Sequence, residues 1–114
     1  MTEKWITKTL ANLGFSLMDA KIYFLLASHC PLTARNIADI FKLHKQQVYR
    51  ILGRLQNRGI VNSSANRPAV FSSLPFEEVL DLFLKGKIEE ATILADKRDE
   101  LLLGWRLMVE RAKD

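Results

Sequence analysis

Cysteine is almost missing from this chain: Cys30 stands alone among 114 residues. An internal disulfide is therefore excluded, and with only His29 and His44 beside it no zinc-binding set can be assembled. The ordinary expectation for such a residue is a small buried thiol at a helix end, with a redox-sensing thiol as the alternative. No apolar run approaches the roughly 18 residues that span a bilayer. The N-terminus, Met1-Thr2-Glu3-Lys4-Trp5-Ile6-Thr7-Lys8, also lacks a signal-peptide core. An intracellular, cytoplasmic protein that does not enter membranes is expected. Glycine-rich phosphate loops, Ser-His-Asp and Cys-His arrangements, repeats and low-complexity segments are missing as well. Glu89-Glu90 and Asp99-Glu100 read as a solvated helix face rather than catalytic pairs, so neither an enzyme nor a cofactor or metal is expected. The most informative absence is acidic: no Asp or Glu occurs from Lys42 to Arg58.

That gap lies in a strongly positive middle third. The net charge of +4 divides into +1 for residues 1–31, +6 for residues 32–74 and −3 for residues 75–114. A field concentrated in one segment is the electrostatic footprint of a polyanion site, flanked by parts with other work. The length suits one ordinary domain with a core that needs no staples, and a second, effector-binding domain is not expected.

Taken in order, residues 2–12 read as a helix with Trp5, Ile6, Leu10 and Leu13 on one side, broken by Gly14. Ser16-Leu17-Met18-Asp19 has the form of a capping box and opens a second helix to about Ser28, with Ala20, Tyr23, Phe24 and Ala27 as inward candidates. Pro31 confirms its stop. Thr33 caps a short helix from Ala34 to about Phe41 with Ile37, Ala38, Ile40 and Phe41 apolar and Arg35, Asn36 and Asp39 outside. Lys42-Leu43-His44 then leads into a helix over about 45–58. Two helices with so tight a linker form a helix-turn-helix. His44 sits at the N-cap, where it is a weak cap; its imidazole either faces a DNA phosphate or is a tolerated surface residue.

In the helix over 45–58, Val48, Ile51, Leu52 and Leu55 form one apolar stripe. Gln46, Arg50, Gly53 and Asn57 point the other way, with Gln47, Tyr49 and Arg54 on the flanks. A solvent face normally mixes charge signs, so a face of amides and cations alone suggests nucleic acid. Gln and Asn match the edge of adenine, Arg matches guanine or phosphate, and Lys and Tyr suit the backbone. Gln46, Gln47 and Arg50, with Tyr49 beside them on the outward face, are the candidate base contacts. Arg35, Lys42, His44, Lys45 and Arg54 are candidate backbone contacts.

Gly59 ends this helix in the C-cap manner. Ile60 to Ser64 and Ala69 to Leu74 then read as two strands joined by Ala65-Asn66-Arg67-Pro68. A ribbon in that place is a wing spanning about 60–74, and Arg67 near its tip is placed for a phosphate or the minor groove.

From Phe76 to Ala112 the pattern predicts one long helix, roughly 55 Å at 1.5 Å per residue. Its apolar residues recur in sevens on adjoining tracks, interrupted by Lys87 and Arg98: Leu94, Leu101 and Met108; Leu84, Ala91, Trp105 and Ala112; Ile88, Ala95, Leu102 and Val109. Pairing with the same helix of a second chain buries this stripe; the alternative is a fold back onto its own domain, with Gly86 or Gly104 as the bend. Trp5, Trp105 and Tyr49 ordinarily fill cores, the alternative being a ligand pocket near the dimer interface. The expected architecture is mainly α with a small β wing: a winged helix-turn-helix over residues 1–75, then a dimerisation helix over 76–114.

The stretch Leu13-Gly14-Phe15-Ser16-Leu17-Met18-Asp19-Ala20-Lys21-Ile22-Tyr23, followed by Val48-Tyr49-Arg50-Ile51-Leu52-Gly53-Arg54-Leu55-Gln56-Asn57-Arg58-Gly59-Ile60-Val61, resembles the winged-helix domain of TrmB-like transcriptional regulators. The resemblance covers about residues 8–85, with looser similarity to MarR-like regulators. It implies archaeal or bacterial transcription control by a homodimer on double-stranded DNA, with Gln46, Gln47, Tyr49, Arg50 and Arg54 facing the DNA. Many TrmB-like proteins carry a C-terminal sugar-binding domain, which is not expected here, so sugar sensing is not carried over and any effector is left open. Two other functions fit the pattern less well: a winged protein-docking module, against which the acid-free helix argues, and a non-specific architectural binder of DNA or structured RNA.

Overall fold

The computed structural model describes residues 3–113. The chain divides into two compact units after Val79. In the first, α1 (Glu3–Asn12) and α2 (Leu17–His29) meet at Gly14, whose φ of 99° lies where an L side chain is strained. The capping box holds α2 open as its spacing predicts: the Ser16 hydroxyl accepts from the Asp19 N–H at 3.0 Å, and Asp19 Oδ2 accepts from the Ser16 N–H at 3.1 Å. Thr33 and Asn36 cap α3 (Ala34–Phe41) in the same reciprocal way. The turn to α4 (Lys45–Asn57) is made by Lys42 in the left-handed region, at φ 55°, with its N–H on the Ala38 carbonyl. That conformation in a residue other than glycine stores strain of about 1–2 kcal/mol, and the docked helix pair holds it in place.

The wing is present with shorter strands than the sequence pattern predicts, β2 (Val61–Ser63) and β3 (Val70–Ser73), paired antiparallel with Ser63 opposite Phe71. A third strand, β1 (Leu32–Thr33), pairs antiparallel with β3 through Leu32 and Phe71, giving the order β1-β3-β2. Two residues are too few for any alternating pattern, so β1 exists only because folding brings it beside β3. Strands after a helix-turn-helix, with β1 bracing the hairpin from before α3, make this unit a winged helix.

Its core consists of Leu10, Phe15, Ile22, Tyr23, Leu26, Ile37, Val48, Ile51, Leu52, Leu55, Ile60, Val61, Phe71 and Val79, with the smaller Ala20, Ala34 and Ala38. The Tyr23 hydroxyl donates to the Leu74 carbonyl at 2.7 Å, and its ring lies between those of Phe15 and Phe76. Burial pushes its phenol pKa up, so it remains a donor. This contact and the fully buried Val79 draw the first turn of α5 (Phe76–Asp96) into the winged unit, moving the division four residues past Pro75.

Several inward expectations are corrected. Trp5 is 57% exposed and Ile6 is exposed too, leaving Leu10 as the one buried residue of α1. On α2, Phe24 and Ala27 face outward while Ile22 and Leu26 are buried; on α3, Ile40 is exposed. Apolar residues outnumber the positions that neighbouring elements cover, and packing chooses the buried subset. Cys30 is exposed rather than buried, an extended residue just past the end of α2 at His29.

In the second unit the long helical span is interrupted once. α5 ends at Asp96 and α6 (Arg98–Ala112) begins after Lys97, whose ψ of 5° departs from the helical value near −42°. The interruption lies at neither Gly86 nor Gly104. Lys97 still donates to the Ile93 carbonyl and accepts from the Leu101 N–H. No helix among the described residues is long and apolar enough to cross a membrane.

Candidate nucleic-acid interface

The stripe of α4 is buried as its period requires: Val48, Ile51, Leu52 and Leu55 are all in the core. That rotation leaves Lys45, Gln46, Gln47, Tyr49, Arg50, Arg54 and Asn57 exposed, with Gly53 half-buried among them. Nothing lies within 4 Å of where a Cβ on Gly53 would stand, so that site on the helix surface is open to a close partner. Lys42 and His44 are exposed in the linker, Arg35 is exposed on α3, and Arg67 is exposed in the hairpin.

These side chains differ in what they do before any partner arrives. His44 is the N-cap of α4, but its imidazole makes no cap bond. Instead Gln47 reaches back, its Oε1 accepting from the His44 N–H at 3.0 Å. Tyr49 lies edge-on to Phe71 of β3, with ring centroids 6.5 Å apart, and Gln56 donates to the Ser63 hydroxyl of β2 at 3.0 Å. Two contacts therefore tie the wing to α4. At the hairpin the Ser64 hydroxyl accepts from the N–H groups of Asn66 and Val70, holding the loop that presents Arg67. Arg35, Lys45, Arg50 and Arg67 have no ion pair among the described residues.

Arg54 is different. Its guanidinium pairs with Asp19 Oδ1 at 2.7 Å, and the Asp19 side chain is only 7% exposed against 48% for Arg54. One turn on, Arg58 donates to the Gly14 carbonyl at 3.3 Å and lies 5.7 Å over the Phe15 ring. Neither contact is visible in the charge pattern, because both partners lie more than thirty residues away in sequence. Asp19 itself reads as a capping residue and nothing more until α4 is folded against α2.

Burial raises the pKa of Asp19, but the hydrogen bond from Arg54, the bonds with the backbone and side chain of Ser16 and the Arg54 charge together hold it below the ordinary carboxylate value. A depressed folded value means that the stabilisation is fully present above the unfolded pKa of about 3.9 and is lost as pH falls through the folded one. Asp19→Asn is thus expected to be less stable than wild type by a constant margin near neutral pH. The margin should shrink below about pH 4. Denaturant unfolding of both proteins across that range is the check; a margin that widens on acidification would show that Asp19 is not held ionised by the fold.

The residues expected on a dimer interface are exposed in the single chain: Leu84, Ile88, Ala91, Leu94, Ala95, Leu101, Leu102, Trp105 and Met108, with Val109 half-buried. Leu82, Ile93, Leu103 and Leu107 are exposed as well, so the apolar surface is broader than the heptad tracks indicate. Trp5, Trp105 and Tyr49, expected as core residues, are all at least half exposed.

The sequence pattern of TrmB, a family described as sugar-specific transcriptional regulators, matches residues 10–77, from the end of α1 to the first turn of α5. The chain belongs to the TrmB family. Its fold extends that likeness to MarR-type proteins. A MarR family transcription regulator superimposes with a TM-score of 0.57 at 16% identity, over 97% of this chain and 83% of the other. The YusO protein from Bacillus subtilis gives 0.56 at 19% identity, over 95% and 82%. A MarR-like transcriptional regulator from Thermotoga maritima gives 0.52 at 16% identity, over 100% and 99%. No curated protein matches the chain in sequence. This TrmB-family protein is a DNA-binding transcription regulator with a winged helix-turn-helix.

Proposed function

We propose that this TrmB-family regulator acts as a homodimer on specific double-stranded DNA, each protomer laying the N-terminal half of α4 in a major groove. The observation that carries the reading is the outward face of α4, where Lys45, Gln46, Tyr49 and Arg50 stand exposed and no acid occurs from Lys42 to Arg58. Gln46, Gln47, Tyr49 and Arg50 read base edges; Arg35, Lys42, His44 and Lys45 hold phosphates; Arg67 sets the wing on the backbone or minor groove. The exposed apolar residues of α5 and α6 pair with those of a second copy, since apolar surface of this extent marks an interface. Two-fold symmetry then requires an inverted repeat with half-sites one helical turn, or a multiple of it, apart.

Selection of bound duplexes from a random library at near-physiological salt, read with a salt titration, tests this. An inverted repeat and a steep salt slope support it. Salt-sensitive binding without an enriched motif would leave a backbone-only architectural binder, and no DNA binding at all would leave a protein-docking module. On the recovered site, Arg50→Ala is expected to cost about 1–3 kcal/mol and to relax the preference at one base pair. Uniform weakening on every sequence would reduce Arg50 to a phosphate contact.

A further inference from the structure

Asp19 presents both carboxylate oxygens to fixed donors: Oδ2 to the Ser16 N–H of its own helix cap and Oδ1 to the guanidinium of Arg54. The residue is 5% exposed. Withdrawing Arg54 toward a DNA phosphate would leave this buried carboxylate bonded to Ser16 alone, its charge unpaired, and a phosphate approaching Arg54 would meet the charge of Asp19 at 2.7 Å from the same guanidinium. Four residues on, and so on the same flank of α4, Arg58 holds the Gly14 carbonyl and covers Phe15. A Cβ on Gly14 would come within 3.2 Å of Arg58 Nη2, so the turn between α1 and α2 is shaped to receive that side chain. Two arginines of the recognition helix thus grip one short segment, Gly14 to Asp19.

Resting on the DNA-reading role of α4 proposed above, we infer that Arg54 is a positioning residue: through Asp19, and beside the Arg58 contact, it sets the rotation of the recognition helix, and it is not a phosphate ligand. Rotation is what such a grip controls. A turn of about 20° about the helix axis moves a side-chain tip 5–6 Å from that axis by roughly 2 Å, enough to break a bidentate base contact. The buried stripe of α4 resists sliding and lifting, whereas a flank contact with directional hydrogen bonds resists rolling.

The two roles for Arg54 give opposite signs for its partner. A phosphate ligand tempered by Asp19 would gain free charge in Asp19→Asn, and DNA binding would tighten. A positioning pair loses its geometry whichever member is changed. The test uses the chain of 114 residues, the duplex recovered by selection and an unrelated duplex, with Arg54→Gln, Asp19→Asn and the double variant, each checked for folding by thermal unfolding. Each single variant is expected to weaken binding to the selected duplex about tenfold, and the double variant no more than either, as for a coupled pair. The slope of log affinity against log salt should match wild type. The inference is overturned if Arg54→Gln lowers that slope by about 0.9, the loss of one phosphate contact, if Asp19→Asn tightens binding, or if neither variant changes it. Should Asp19→Asn fail to fold, the salt slope of Arg54→Gln alone decides between the roles. Wild-type protein that bound neither duplex would overturn the DNA-reading role and the inference together; wild-type binding with a reduced Arg54→Gln slope would overturn the inference alone.

Discussion

Replacing Leu101 and Met108 together by glutamate is expected to convert the protein to a monomer and to weaken binding to a full inverted repeat by about 10²- to 10⁴-fold, the gain that linking two binding events supplies. The two residues stand seven apart on one track of α6 and are 54% and 64% exposed in the single chain. With Leu102 and Leu103 they belong to a helix that buries none of its own residues. This exposed apolar surface is what the proposed pairing would cover, and each large aliphatic side chain buried there would contribute about 1.5–3 kcal/mol. A carboxylate at the same place would have to be desolvated for the helices to pair, which reverses the sign of the contribution. Sedimentation equilibrium gives the association state, and titration of a full repeat and an isolated half-site gives the linkage. The expected pattern is unchanged half-site affinity with the advantage of the full repeat lost. A variant that stayed dimeric and bound as wild type does would refute the proposed pairing through this face.

The largest effect on stability is expected at Leu52. It is fully buried at the centre of the apolar stripe of α4. Leu52→Ala should cost about 2–5 kcal/mol, combining the lost transfer free energy with the cavity that remains. For a unit of this size that is a fall in melting temperature of roughly 10–30 °C, from a total stability of only about 5–15 kcal/mol. Phe24→Ala and Ile40→Ala are the matched comparisons: both remove large apolar side chains, but from exposed positions, and should stay within about 0.5 kcal/mol of wild type. Denaturant midpoints with unchanged slope are the measurement. A loss at Leu52 of under about 1 kcal/mol would mean that α4 does not dock by this face, and its outward face would have to be reassigned.

The contrast between Leu52 and Ile40 shows how far local pattern reaches. Val48, Ile51, Leu52 and Leu55 are the only large apolar side chains of α4 besides Tyr49, so one buried face was determined by the sequence together with its complement of Lys45, Gln46 and Arg50. In α2 the residues from Ile22 to Leu26 are all apolar, and periodicity cannot choose among them. Docking of α2 against α1 and β3 buries Ile22, Tyr23 and Leu26 and leaves Phe24 outside.

By itself, then, the sequence determined the helix starts at Ser16 and Thr33, the glycine turns at Gly14 and Gly59, the helix-turn-helix, the wing and the acid-free face of α4. These depend on caps, backbone freedom and spacing, all of which act within a few residues. Tertiary structure alone decided that Arg54 is paired with Asp19 and Arg58 with Gly14, that Leu32 and Thr33 form a strand, and that Trp5, Ile40 and Cys30 face outward. Those outcomes depend on groups distant in sequence meeting in space. A local pattern shows which residues share a face, and packing of the whole unit selects what that face meets.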